Sequence, residues 1–222
     1  MKLFSRTKIV TEPEIVINNS FKKLIDRISN ALDEDGYHWT KPWGVKRFES
    51  MILAKFMIDY SFNGLSEDKL KDDEKIAFVD ISSTTFSKLF NDEFSKIGLN
   101  YEDMQEEIQL KIDSYYEARR DGKPPICWHK IYQLITRSKS KDELDEDVKT
   151  KMAGLNLIRG NDNFSGMVPQ YEAQIKVLKE KSDAFESAEM MIPHMIRFTK
   201  DHLRVMNLKK CQAEIKNVFD ES

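Results

Sequence analysis

A chain of 222 residues with 40% apolar content can bury a substantial core, and its charges nearly cancel: 35 Lys and Arg against 38 Asp and Glu, a formal net charge of -3. That balance excludes a global attraction to nucleic acid or to an anionic membrane, so any such binding must come from a local patch. The two cysteines, Cys127 and Cys211, do not form the spacing of a disulfide-stapled module, and reduced thiols in a cytoplasm are expected.

The opening "MKLFSRTKIVTEPE" has no apolar targeting core, and the longest apolar stretch, "MILAKFMIDYSF", is far shorter than the roughly 20 residues that cross a bilayer. Membrane spanning is therefore not expected. Abundant Lys, Ile, Asn and Asp point to an AT-rich microbial or phage genome. Eight glycines and six prolines fall mostly between periodic segments, as when helices rather than hairpins are punctuated. The expectation is an all-α bundle of seven or eight helices.

Thr11 and Glu14 form a capping-box pattern, and Ile17, Phe21, Leu24, Ile28 and Leu32 then make one helical stripe. Asp35 and Gly36 should end it. "DGYHWTKPWG" follows, and its aromatics admit two readings, a lid over the bundle end or a partner-binding surface made of Tyr37, His38, Trp39 and Trp43. The lid is favoured, with Trp43 inward and Trp39 more exposed.

Residues 45 to 62 are apolar almost all the way round, as an enclosed central helix requires, and Asn63 with Gly64 should stop it. Beyond Lys46, Arg47 and Glu49 at its start, Lys55 and Asp59 are its only charges, and four positions put them on one face. They are either a paired charge within the bundle or the floor of a polar pocket. "IAFVDI", 76 to 81, reads as helix or extended linker rather than an isolated strand, and Phe86, Leu89, Phe90, Phe94 and Ile97 form the next face before Gly98.

Asn100 should cap a helix with Glu102 and Asp103 in its first turn and Arg119 and Arg120 in its last, burying Tyr101, Met104, Ile108, Ile112 and Tyr115. A fifth helix carries Cys127, Trp128, Ile131, Leu134 and Ile135. Ser140 and Glu143 form a second capping box ahead of Leu144, Val148, Met152 and Leu155. "RGNDNFSG", 159 to 166, is the expected boundary between an N-terminal bundle, 1 to 158, and long C-terminal helices, 167 to 222, that pack on the bundle as one domain. Tyr171, Ile175, Leu178, Phe185, Ile192, Ile196 and Leu203 approximate a seven-residue repeat, interrupted by Ser182 and Glu189, and Pro193 should break or kink the helix.

No phosphate loop, dinucleotide fingerprint, nucleophile elbow, zinc-protease motif or paired C-x-x-C occurs, so no catalytic residue, metal site or cofactor is assigned. His194 and His202, eight apart, share a face only loosely. Cys127 and His129 point about 200° apart on one helix and cannot meet. Lys130, Arg137, Arg197 and Arg204 are candidate anion-binding residues on two locally basic segments. The acidic block from Asp142 to Asp147 is expected to pair with the first, which disfavours nucleic acid. The leading expectation is a non-catalytic protein-interaction module that binds another protein or itself through the 168 to 203 seam or the 37 to 43 aromatics. The alternatives are a ligand-binding or enzymatic pocket at Lys55 and Asp59, and nucleic-acid binding through the basic helices.

Overall fold

The structure is a computed structural model that describes residues 12–34, 43–66, 70–124, 126–136, 138–204 and 206. The expected sites at Tyr37, His38, Trp39 and Arg137 lie outside these, as do Thr11, Cys211 and the side chain of Trp43. The described residues form seven α-helices and no β-strand: α1 (Pro13–Glu34), α2 (Trp43–Ser66), α3 (Asp72–Phe94), α4 (Tyr101–Arg120), α5 (Ile126–Thr136), α6 (Lys141–Arg159) and α7 (Val168–Leu203). Short 3-10 turns at Ser95–Ile97 and Asp162–Met167 follow α3 and precede α7. The all-α class expected from helical periodicity is the class observed.

The chain divides into two compact units. The first takes residues 1–27, 50–112 and 194–222, and the second takes residues 28–49 and 113–193. The cut expected at 159 to 166 falls inside the second unit, where that segment joins α6 to α7.

In the first unit, α2 is buried without interruption from Ser50 to Ile58, as its unbroken apolar sequence demands. The expected stop at Asn63 and Gly64 does not occur, and α2 continues to Ser66. Lys200 lies over the glycine, close enough that a Cβ there would meet its Nζ at 2.8 Å. Ile17, Phe21 and Leu24 of α1 are fully buried.

Residues 76 to 81 are neither strand nor linker but the second turn and beyond of α3, which joins them to the helix read from Phe86 onward. The reason lies in one row of side chains: Phe78, Ser82, Phe86, Phe90 and Phe94 recur at four-residue steps and are all buried. Such a row is a ridge that packs against a neighbouring helix. Its rings interlock, with Phe86 against Phe21 at 5.7 Å between centroids, Phe90 against Phe94 at 4.9 Å, and Tyr101 edge-on to Phe86 at 5.8 Å. Phe62 of α2 stacks on Phe78. Each buried ring contributes about 1.5–3 kcal/mol of hydrophobic stabilisation. Gly98, at φ 80°, takes the left-handed conformation that ends the segment, and Ile97 is 65% exposed rather than part of the expected face. The first N–H of α4, that of Tyr101, donates to the Asn91 side chain at 2.7 Å.

In the second unit, α4 ends with Arg119 and Arg120 as expected, and the Arg119 guanidinium sits 5.2 Å from the Trp128 ring of α5. The box at the start of α6 forms: the Ser140 side chain accepts from the Glu143 N–H, and the Glu143 carboxylate accepts from the Ser140 N–H.

From there α6 and α7 run back to back as a hairpin. Leu144, Val148, Lys151, Leu155 and Ile158 on α6, and Tyr171, Ile175, Leu178, Ser182 and Phe185 on α7, alternate in steps of four and three, the spacing of a coiled-coil seam. Lys151 reaches over Tyr171 at 5.0 Å, Gly154 leaves room for the same ring, and Arg159 bonds Glu172. Pro193 does not break α7, which stays helical to Leu203 while Ile192, Met195 and Ile196 are buried around it. Burial of that turn offsets the lost backbone donor.

Candidate functional site

Three polar groupings and one groove emerge from this frame. The first is a closed triangle in the first unit. Lys55 and Asp59 face α3 because they are one turn apart on α2, and Ser82 meets them because it takes the one non-aromatic place in the buried ridge of α3. The Lys55 ammonium lies 3.0 Å from Asp59 Oδ1 and 2.9 Å from Oδ2 and donates to Ser82 Oγ at 3.0 Å; the Ser82 hydroxyl in turn donates to Asp59 Oδ1 at 3.1 Å. Lys55 and Ser82 are buried and Asp59 is partly so.

Burial pushes the Asp59 carboxyl above its ordinary range, against the charge and hydrogen bond of Lys55 and the hydroxyl of Ser82. Burial, then the charge of Asp59, also raises the Tyr101 phenol. Of the two readings of Lys55 and Asp59, the geometry displays the paired charge, and its partner Ser82 was missed. Extending the row of Phe94, Phe90 and Phe86 backward by four-residue steps is the signal that finds it.

The second grouping joins α5 to α7. His129 Nε2 stands 2.5 Å from Glu189 Oε1, with the imidazole edge-on to Phe185 at 5.5 Å. Glu189, one of the two polar residues that interrupt the α7 seam, thus serves His129. Cys127 is fully buried. The third grouping ties α6 to α7: Ser182 donates to Asp145 and accepts from Lys141 at 3.2 Å. The two polar residues that interrupt the seam are thus hydrogen-bonded within the chain. Most of the seam expected to meet a partner is covered too: Ile175, Phe185, Ile192, Ile196 and Leu203 are buried, whereas Tyr171 and Leu178 stay partly exposed.

The candidate anion-binding residues fall in different units. Lys130 belongs to the second unit, 3.5 Å from Asp121, whereas Arg197 and Arg204 are exposed in the first, and Arg204 donates to Asp201 at 2.8 Å. The acidic block folds back on the basic run as expected, Lys139 pairing with Asp147 and Lys141 with Asp145.

A groove of about 570 Å³ opens between α4 and α5, lined by Ser114, Glu117 and Asp121 on one side and Lys130, Gln133 and Leu134 on the other. Leu134 is accordingly 40% exposed rather than core, and so is Met152 of α6, at 44%. Among the described residues no group of three or more His, Cys, Asp or Glu side chains is placed to hold a metal ion, and no helix is long and apolar enough to cross a membrane.

No protein-family model, curated protein or solved structure matches the chain.

Proposed function

We propose that this chain is a non-catalytic helical interaction module that engages another protein, or a second copy of itself, through the far end of the α6–α7 hairpin. The observation that carries this reading is where large apolar side chains stay in water. Met152, Leu157, Phe164, Met167 and Val177 are between 42% and 78% exposed and fall within 26 consecutive residues. Single exposed apolar residues are ordinary, but five within 26 residues, spread over α6, the turn after it and the start of α7, mark an interaction surface.

The polar groupings support the same reading. Lys55, Asp59 and Ser82 bond one another, and His129 is held by Glu189, so each spends its capacity on structure. Light scattering of the full chain, paired with a pull-down, tests the proposal. The expected result is a self-assembly or a captured protein that Leu157→Glu with Phe164→Glu abolishes without lowering the melting temperature. A monomer that captures nothing overturns it.

A second reading rests on the α4–α5 groove, whose volume falls in the roughly 300–1,000 Å³ range of small-molecule sites. Its carboxylates, ammonium, hydroxyls and amide suit a small polar ligand of mixed charge. Ligand-induced chemical shift changes confined to Glu117, Asp121 and Gln133 would support it, and their absence across a library of small polar metabolites would dismiss it.

A further inference from the structure

The first unit holds a cationic cluster on residues the interaction reading does not use. On α1, Lys23 and Arg27 are one turn apart and exposed. The Arg27 guanidinium carbon lies 3.9 Å from the centroid of Phe198 on α7, and one turn further along α7 the partly buried His202 ring packs on the same phenylalanine at 4.2 Å. Phe198 therefore packs against both Arg27 and His202: a guanidinium over an aromatic face is attracted to it and loses little of its hydrogen-bonding capacity.

Like charges one turn apart repel, and among the described residues neither Lys23 nor Arg27 has a carboxylate partner. The nearby carboxylate of Asp201 accepts from Arg204 at 2.8 Å. The consequence is legible at His202. Burial first, then the charges of Lys23 and Arg27, hold its imidazole below its ordinary value, and Asp201 only partly opposes them.

We infer that Lys23, Arg27 and His202 form a binding site for a phosphate group, the two α1 cations supplying charge and donors and His202 a further donor once the anion is present. A phosphate dianion relieves the repulsion between the cations and offers several acceptor oxygens to a guanidinium fork. The shared chemistry is the phosphate, carried either by a small polyphosphate or by a single-stranded nucleic-acid backbone. The site is independent of the hairpin proposal and stands or falls without it.

The test is an NMR titration of the four histidines of the full chain, with His202→Asn identifying the resonance. The probes are pyrophosphate, a thymidine oligonucleotide and sodium chloride matched in ionic strength. Binding predicts that one of the first two raises the His202 titration midpoint saturably and beyond the chloride control. A response to pyrophosphate assigns the small ligand, and a response to the oligonucleotide alone assigns the backbone. Lys23→Gln, at an exposed position, is expected to raise the His202 midpoint without ligand and to weaken the saturable response at least tenfold in concentration. A midpoint that moves no further with either phosphate probe than with chloride overturns the inference.

Discussion

Ser82 is the residue on which the Lys55 and Asp59 cluster turns, because its hydroxyl accepts from the one and donates to the other. Ser82→Ala removes both bonds while Lys55 and Asp59 keep each other, and each lost hydrogen bond costs about 0.5–1.5 kcal/mol. We expect that loss in a urea denaturation series. Lys55→Met leaves the carboxylate without its ion, at the lower end of ~3–5 kcal/mol because Asp59 keeps some contact with water. The double variant Lys55→Met with Asp59→Leu should recover much of it, since well-packed apolar residues replace a buried pair at little net cost.

The pH dependence of this cluster has a definite sign. Asp59 binds its proton more tightly folded than unfolded, so its contribution to stability is full below the ordinary carboxylate value of 3.8 and is lost as the pH rises through the raised folded value. Asp59→Asn should therefore gain on the native chain as the pH rises through that window, as read from urea midpoints. A difference that stays constant or narrows contradicts it. The Lys55 and Asp59 pairing was legible from a spacing of four, whereas His129 and Glu189 are brought together across 60 positions by tertiary packing that no local pattern encodes.

At the scale of elements, end signals served where the cap is local. Ser140 and Glu143 bond reciprocally as their spacing implies, and Ser140→Ala should lower stability by about 1 kcal/mol in thermal unfolding. End signals failed where packing outweighs them. Asn63 and Gly64 stay exposed inside α2, which runs on past the buried Phe62 with the end of the Lys200 side chain beside Gly64, and Pro193 sits inside α7 beside the buried Ile192, Met195 and Ile196. The apolar run 76 to 81 was ambiguous because six residues show no period, and its helical character emerges only when Phe78 and Ser82 are read with the phenylalanines beyond them. The seam of α7 was expected to bind another protein or a second copy, but within the second unit its partners include α5 and α6 of the same chain, as Phe185 against Tyr132 and Ser182 against Asp145 show.

For the molecule as a whole, the reading as an interaction module places contact at the end of the α6–α7 hairpin, a place sequence periodicity did not single out. The segment 159 to 166 read as a polar loop, and the exposure of Leu157, Phe164 and Met167 depends on how the helices on either side of it pack. If these side chains meet a partner, deleting them changes association while leaving the core that holds the hairpin, Leu155 and Ile175, intact.

The most direct measurement is photo-crosslinking from a benzophenone side chain placed at Leu157 in the full chain, in extract of the source cells, beside the same probe at the exposed, charged Lys176. A discrete adduct heavier than the chain is expected from position 157, either the dimer or a single other protein, and none of that species from position 176. The same species at equal yield from both positions, or only the monomer from position 157, contradicts it.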